Sequence, residues 1–260
     1  SREDLGPSSP STAERPFVHN GSDVVFASDG GFHIWRGGQR TFTTSPLVQR
    51  GSAIWLRLMG DKLWMLSSYI WGPASIWEFK MPTGSGTQAP IPVKETKYGA
   101  ITDRLGDFIV TQDQQFMLSS WIDLAANKLV IRPWKGGSQL PDVVLHGPVR
   151  SPAHIVMEEH PADRSVWLFM DIDAVQELRM VKLRMEASSP VVEFDRTDIR
   201  QEGEYGVLRL LPDPLGNRLL LSMPIPDTRW YSETPFRKGA KLGVFSFAAV
   251  TISPTVNVAG

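Results

Sequence analysis

Short apolar runs, each closed by Gly, Asn or Asp, follow one another from Phe17 to the C-terminal end of the chain. Four of them nearly repeat: Leu63-Trp64-Met65-Leu66-Ser67-Ser68, Gln115-Phe116-Met117-Leu118-Ser119-Ser120, Val166-Trp167-Leu168-Phe169-Met170-Asp171 and Arg218-Leu219-Leu220-Leu221-Ser222-Met223. They begin at 63, 115, 166 and 218, in steps of 52, 51 and 52. A weaker copy, Val24-Val25-Phe26-Ala27-Ser28-Asp29, stands 39 residues upstream of the first. Periods of about 40 to 50 residues, each holding several short strands, are the sequence mark of propeller blades. The pattern predicts an all-β chain, a β-propeller of five blades with about four antiparallel strands each.

Within each unit the repeated run is the second strand, preceded by a turn. The turns are Asn20-Gly21-Ser22-Asp23, Gly60-Asp61-Lys62, Asp113-Gln114, Ala162-Asp163-Arg164 and Leu215-Gly216-Asn217, residues that reverse a chain readily. Inner strands are expected at 16–19, 54–59, 108–112, 154–159 and 207–211. Third strands follow at 32–36, 75–81, 128–134, 178–185 and 241–247, and outer strands at 41–45, 91–95, 142–146, 191–195 and 255–258. Residues 166–187 also fit helical spacing and contain good helix formers; the repeat favours two strands joined at Asp171-Ile172-Asp173-Ala174. Fused β-barrels and a large β-sandwich are the rival folds. Residues 1–14, rich in Ser and Pro, read as a flexible tail before a single domain over 15–260.

Composition then removes whole classes of function. A net charge of −1 gives no basic excess for the phosphate backbone, so no nucleic-acid partner is expected. No apolar run approaches the roughly 20 residues that span a bilayer, so no membrane partner is expected. Cysteine is absent, which excludes disulfides, thiolate metal sites and cysteine nucleophiles. That absence, and the lack of an apolar signal segment, lean the expected compartment to the cytoplasm. Asn20-Gly21-Ser22 fits the N-glycosylation acceptor pattern and reads mainly as a tight turn.

Candidate binding residues fall into three groups. Trp71, Trp121 and Trp230 are placed after the second strand, in loops on the face shared with the connections between blades; rings there would stack on a sugar or anchor a peptide. Arg50, Arg104, Arg150 and Arg200 each occupy one connection, a ring of guanidinium groups suited to an acidic partner, although neighbouring acids also suit ordinary surface pairs. The longest loop, Pro224 to Ala240, carries Asp227, Arg229, Trp230 and Tyr231 with Glu233, Phe236 and Arg237, a composition typical of binding hot spots. The other tryptophans are read as packing between blades.

Signals for chemistry are sparse. His154, Glu158, Glu159 and His160 contain metal-capable groups, but no third partner converges, so no metal or other cofactor is expected. Asp29, Asp123 and Asp171 lie near one predicted face, as a five-bladed glycosidase would require of its carboxylates. No nucleophile elbow or phosphate-binding loop is present.

Asp213-Pro214-Leu215-Gly216-Asn217-Arg218-Leu219, Pro235-Phe236-Arg237 and the strand from Leu242 to Phe247 are similar to the β-rich C-terminal regions of basidiomycete fungal F-box proteins, with Arg132-Pro133-Trp134-Lys135 adding to the likeness. The resemblance covers about a third of the chain, lacks the F-box itself and implies a substrate-recognition propeller. Read together, the sequence points to a binding module for a protein or peptide. A carbohydrate-active protein and a small-molecule enzyme with an axial pocket are the alternatives.

Overall fold

A computed structural model describes residues 17–28, 30–48, 53–68, 74–83, 88–99, 105–147, 149, 155–172, 177–200, 209–212, 218–224, 239–246, 251–252 and 256–259, with the backbone alone beyond residue 197. All regular structure among them is β, and no helix is long and apolar enough to cross a membrane. The chain divides into two compact units, Ser1–Thr102 and Asp103–Gly260.

The first unit holds two four-stranded antiparallel meanders. One consists of β1 (Phe17–His19), β2 (Asp23–Ser28), β3 (Gly31–Arg36) and β4 (Gln39–Thr44). The other consists of β5 (Ala53–Met59), β6 (Lys62–Ser68), β7 (Ala74–Lys80) and β8 (Ile91–Gly99). Val25, Ala27, Phe32 and Ile34 of the first sheet pack on Ile54, Leu56, Leu63, Met65 and Phe79 of the second, with Phe32 and Phe79 edge to face at 5.4 Å.

Three sheets form the second unit. β9 (Leu105–Val110), β10 (Phe116–Asp123) and β11 (Lys128–Lys135) are flanked by a divided outer strand, β12 (Ser138–Gln139) and β13 (Val143–His146). Next come β14 (Ile155–Glu159), β15 (Val166–Ile172), β16 (Glu177–Met185) and β17 (Pro190–Arg200). Last are β18 (Arg209–Pro212), β19 (Arg218–Pro224) and β20 (Gly239–Ser246), with β21 (Thr251–Ile252) and β22 (Val256–Ala259) both against β20. The segment that fitted helical spacing is the β15–β16 hairpin, in register from Val166↔Leu183 to Ile172↔Glu177.

The repeat has a packing reason. Leu63 and Met65 face the first sheet, and the equivalent Val166 and Leu168 join the core shared with the β9–β13 sheet. In that sheet the residues one place later, Phe116 and Leu118, supply the opposing surface. β6, β10 and β15 are buried on both faces, which is why each reads as an unbroken apolar run. Between β9 and β14 the fit is close: a Cβ on Gly106 would stand 2.6 Å from Ile155 Cδ1 and 2.7 Å from Ser120 Oγ. Buried Asp107 ties the same two strands, accepting hydrogen bonds from Phe108 N (2.8 Å) and Met157 N (2.7 Å).

Candidate functional site

Trp121 is not a loop residue. β10 runs on to Asp123, so Trp121 lies inside the strand, in register with Leu105 on one side and Val130 on the other. Its ring is 9% exposed, and the Arg132 guanidinium stands 5.9 Å from the ring centre. Arg132 is itself held by Asp142 through Nε (2.9 Å) and Nη2 (2.8 Å). A sugar has no open ring to stack on here. The strand runs on to Asp123 because Asp123 Oδ1 accepts from Ala126 N (2.9 Å) and Asn127 takes a positive φ of 50°, which places the reversal at residues 124–127. Arg200 ends β17, paired with Glu177, rather than standing in a connection. Arg50, Trp71, Arg104, Arg150, Asp227, Arg229, Trp230 and Tyr231 lie outside the described residues. For the long loop, the described backbone shows its two ends, where Pro224 pairs with Ala240.

Of the acids and histidines named for chemistry, Asp123, Glu159 and His160 hold turns together, while Asp29, His154 and the Asp171 side chain lie outside what the structure describes. Asp123 bonds Ala126 N and pairs with Lys128 at 3.2 Å; the Ala126 N–H, first, and Lys128 hold its carboxyl below the usual range. Glu159 accepts from Gln112 N and meets Arg164 Nε at 2.7 Å, and Arg164 Nη1 donates to Gln112 Oε1 (2.7 Å). Burial pushes the Glu159 carboxyl up, against the pull of the Gln112 N–H and of Arg164. His160 Nδ1 lies 2.8 Å from Asp163 Oδ1, which also accepts from Ser165 N and Oγ. Burial acts to raise Asp163, but Ser165, His160 and Lys182 outweigh it and hold the carboxyl far below the usual range. Among the described residues, no three His, Asp or Glu side chains gather to hold a metal ion.

Arg179 is fully buried and bonds across two sheets. It donates to Asp195 through Nε (2.9 Å) and Nη2 (2.7 Å), and Nη2 also reaches the carbonyl of His146 (2.9 Å). The pair thus bonds the β14–β17 sheet to the outer strand of the β9–β13 sheet, using the fork geometry that only arginine offers.

A different arrangement covers the outer face of the first sheet. Cross-strand pairing sets two rows across it: Phe26–His33–Phe42 and Val24–Trp35–Arg40. His33 and Phe42 centre 4.6 Å apart, Phe26 and His33 5.9 Å, His33 and Trp35 6.2 Å. Arg40 stands 5.5 Å from the centre of the Trp35 ring, with Nη2 3.2 Å from His33 Nδ1. Desolvation, and then the Arg40 charge, lower the His33 pKa, which favours the neutral imidazole, the form whose Nδ1 accepts from Arg40. Phe42 is 48% exposed and Val24 37%. The opposite face of the same strands, with Val25, Ala27, Phe32 and Ile34, is core. Strand alternation thus leaves one closed apolar face and one aromatic face on which Phe42 and Val24 are exposed and Phe26, His33 and Trp35 half-buried, with a cation beside them. Sequence reading took Trp35 as packing between blades and passed over His33, Arg40 and Phe42, although their i, i+2 spacing was visible.

Other exposed apolar side chains also lie on outer strands: Ile91 and Val93 on β8, Val144 on β13 and Val191 on β17. Among the described residues these strands pair on one side only, and β8 carries Pro92, Lys94 and Lys97, residues that blunt a strand edge.

No protein-family model matches the chain, and no curated protein matches it. Solved structures do. The β-propeller domain of Cps50 (Swd1) from Myceliophteria thermophila aligns with a TM-score of 0.55 at 9% identity, over 91% of this chain and 69% of that one. This chain has the β-propeller fold. Hydrazine synthase of Kuenenia stuttgartiensis aligns with a TM-score of 0.62 at 11% identity over 98% of this chain and 70% of that one. A protein described as a 6-phosphogluconolactonase from Bacteroides uniformis gives 0.57 at 12%, over 96% and 72%. At such identities the likeness is one of fold, and a propeller fold carries many functions. Against it, the successive meanders of both units read as propeller blades.

Proposed function

We propose that this propeller is a binding module for a protein or peptide, and that the outer face of its first blade receives the partner. The observation that carries the reading is the open aromatic face, where Phe26, His33, Trp35 and Phe42 lie together with Arg40 beside them. Aromatic and arginine side chains dominate binding hot spots because they join large area to directed polar contacts. An apolar segment with a carboxylate opposite Arg40 is the matching chemistry. The likeness of the last third to F-box-protein propellers supports the same class, since it implies substrate recognition. The carbohydrate reading loses Trp121, whose ring is covered.

The test compares the intact protein with Phe42→Glu, a change at an exposed position whose fold is checked by near-ultraviolet circular dichroism. Each is immobilised and exposed to an extract of the source cells, and the retained polypeptides are quantified, with a glycan array run in parallel. A polypeptide held by the parent and lost from the variant, with a silent array, is expected. Equal retention on both surfaces contradicts the assignment.

A further inference from the structure

Asn20 and Gly21 make up the turn between β1 and β2, and this is the one asparagine of the chain followed by glycine; Asn127, Asn217 and Asn257 precede Lys, Arg and Val. The Asn20 carboxamide is unusually well placed. Its Oδ1 accepts from Ser22 N (3.1 Å), Ser22 Oγ (3.0 Å) and Asp23 N (2.8 Å), while Nδ2 donates to the carbonyl of Gly60 in the β5–β6 turn (2.9 Å). Gly21 takes a φ of +98°, and nothing lies within 4 Å of where a Cβ would stand.

We propose that Asn20 is a self-modification site, converting to aspartyl and isoaspartyl products with loss of ammonia. Gly21 N attacks Asn20 Cγ and gives up its proton to water, forming the Cγ–N bond of a five-membered imide. The C–Nδ2 bond breaks and the nitrogen leaves as ammonia. Water then opens the imide at either carbonyl, giving aspartate or isoaspartate, so the net reaction is amide plus water to acid plus ammonia. During the attack negative charge develops on Oδ1, where two backbone N–H groups and a hydroxyl already point. Donors fixed at the site of developing charge stabilise it without reorganisation. The absence of a side chain on Gly21 leaves room for the ring to close.

The product alters how the first unit is tied. Without Nδ2 the bond to Gly60 is lost and a carboxylate oxygen faces that carbonyl. In the isoaspartyl form an added backbone methylene also disturbs the His19↔Val24 pairing beside the turn. The site thus acts as a slow, irreversible loosening of the contact between the β1–β2 and β5–β6 turns of the first two sheets.

The experiment incubates the intact protein in warm, mildly alkaline buffer and follows all four asparagine-containing peptides by mass spectrometry, with isoaspartate quantified separately. Asn20 is expected to gain about 1 Da, the difference between amide and acid, ahead of Asn127, Asn217 and Asn257. Ser22→Ala, which removes one donor to Oδ1, is expected to slow that gain several-fold, and Asn20→Asp to lower the thermal midpoint of the protein. An Asn20 that stays intact or converts no faster than the other three overturns the proposal, as does a Ser22→Ala variant that converts at the parental rate.

Discussion

Glu159 is the described carboxyl that burial drives upward, and its partners make the consequence testable. Its folded value stands above the ordinary glutamate value of about 4.3. Between the two values the folded chain holds a proton that the unfolded chain lacks. Stability therefore rises as pH falls through the raised value and levels off below the ordinary one. Glu159→Gln keeps an acceptor for Gln112 N and removes the titration. Urea unfolding of both proteins across this acidic window should show a flatter pH profile in the variant, with a change at neutral pH within about 1 kcal/mol because Arg164 is partly solvated; superimposable slopes would sink the idea. Arg179 and Asp195 make the opposite case, a pair whose members depend on each other. Arg179→Met leaves Asp195 and the His146 carbonyl without their donor and is expected to cost about 3 kcal/mol. The double variant with Asp195→Leu should recover most of it in a denaturation cycle. A double variant as unstable as the single one would show that the pair is not the reason for the loss.

Among elements, the strands were the legible part and their ends were not. β6, β10 and β15 stand where the repeat put them because both their faces are buried, so nearly every position carries a hydrophobic signal. β12 has two residues and no apolar content, so no pattern could mark it. β8 runs past its expected end to Gly99 and β17 to Arg200; in β8 the extension keeps its alternation, with Thr96 and Tyr98 buried on either side of exposed Lys97, but Tyr98 is its one large apolar side chain and the signal was too short to mark it. Trp121 was misplaced because the repeated run ends at Ser120, whereas the strand continues to Asp123 through fully buried Ser119 and Ser120. Asp123 and Asn127, the residues that set the true turn, were available as a signal. The same close packing makes a sharp prediction. Gly106→Ala would drive a methyl into Ile155 and Ser120, at an expected cost of about 1–3 kcal/mol. Adding Ile155→Val removes the nearest atom, Cδ1, and should restore part of the loss; an unchanged thermal midpoint in Gly106→Ala would contradict the packing described for β9 and β14.

At the level of the molecule, the period of about 52 residues is the imprint of one four-stranded meander made again and again, each unable to bury its faces alone. The proposed site was less legible. Aromatic residues on a strand mean core wherever another sheet covers them, and the sequence does not distinguish the covered face of the first sheet from the open one. Placing His33, Trp35 and Phe42 side by side required the pairing of three strands. Of the arginines that sequence reading favoured, Arg50, Arg104 and Arg150 lie outside the described residues, as does the long loop between its two paired ends.

The central claim is that the first blade binds a partner through its aromatic face, and site-specific photo-crosslinking tests it most directly. A photoreactive phenylalanine analogue is placed at Phe42 and, as a control of similar exposure, at Leu124 in the β10–β11 turn, and both proteins are irradiated in the source cells. The account predicts one recurrent adduct from position 42, absent from position 124 and abolished when Trp35→Glu is added to the folded protein. Adducts of the same kind from both positions, or none from position 42, would contradict it.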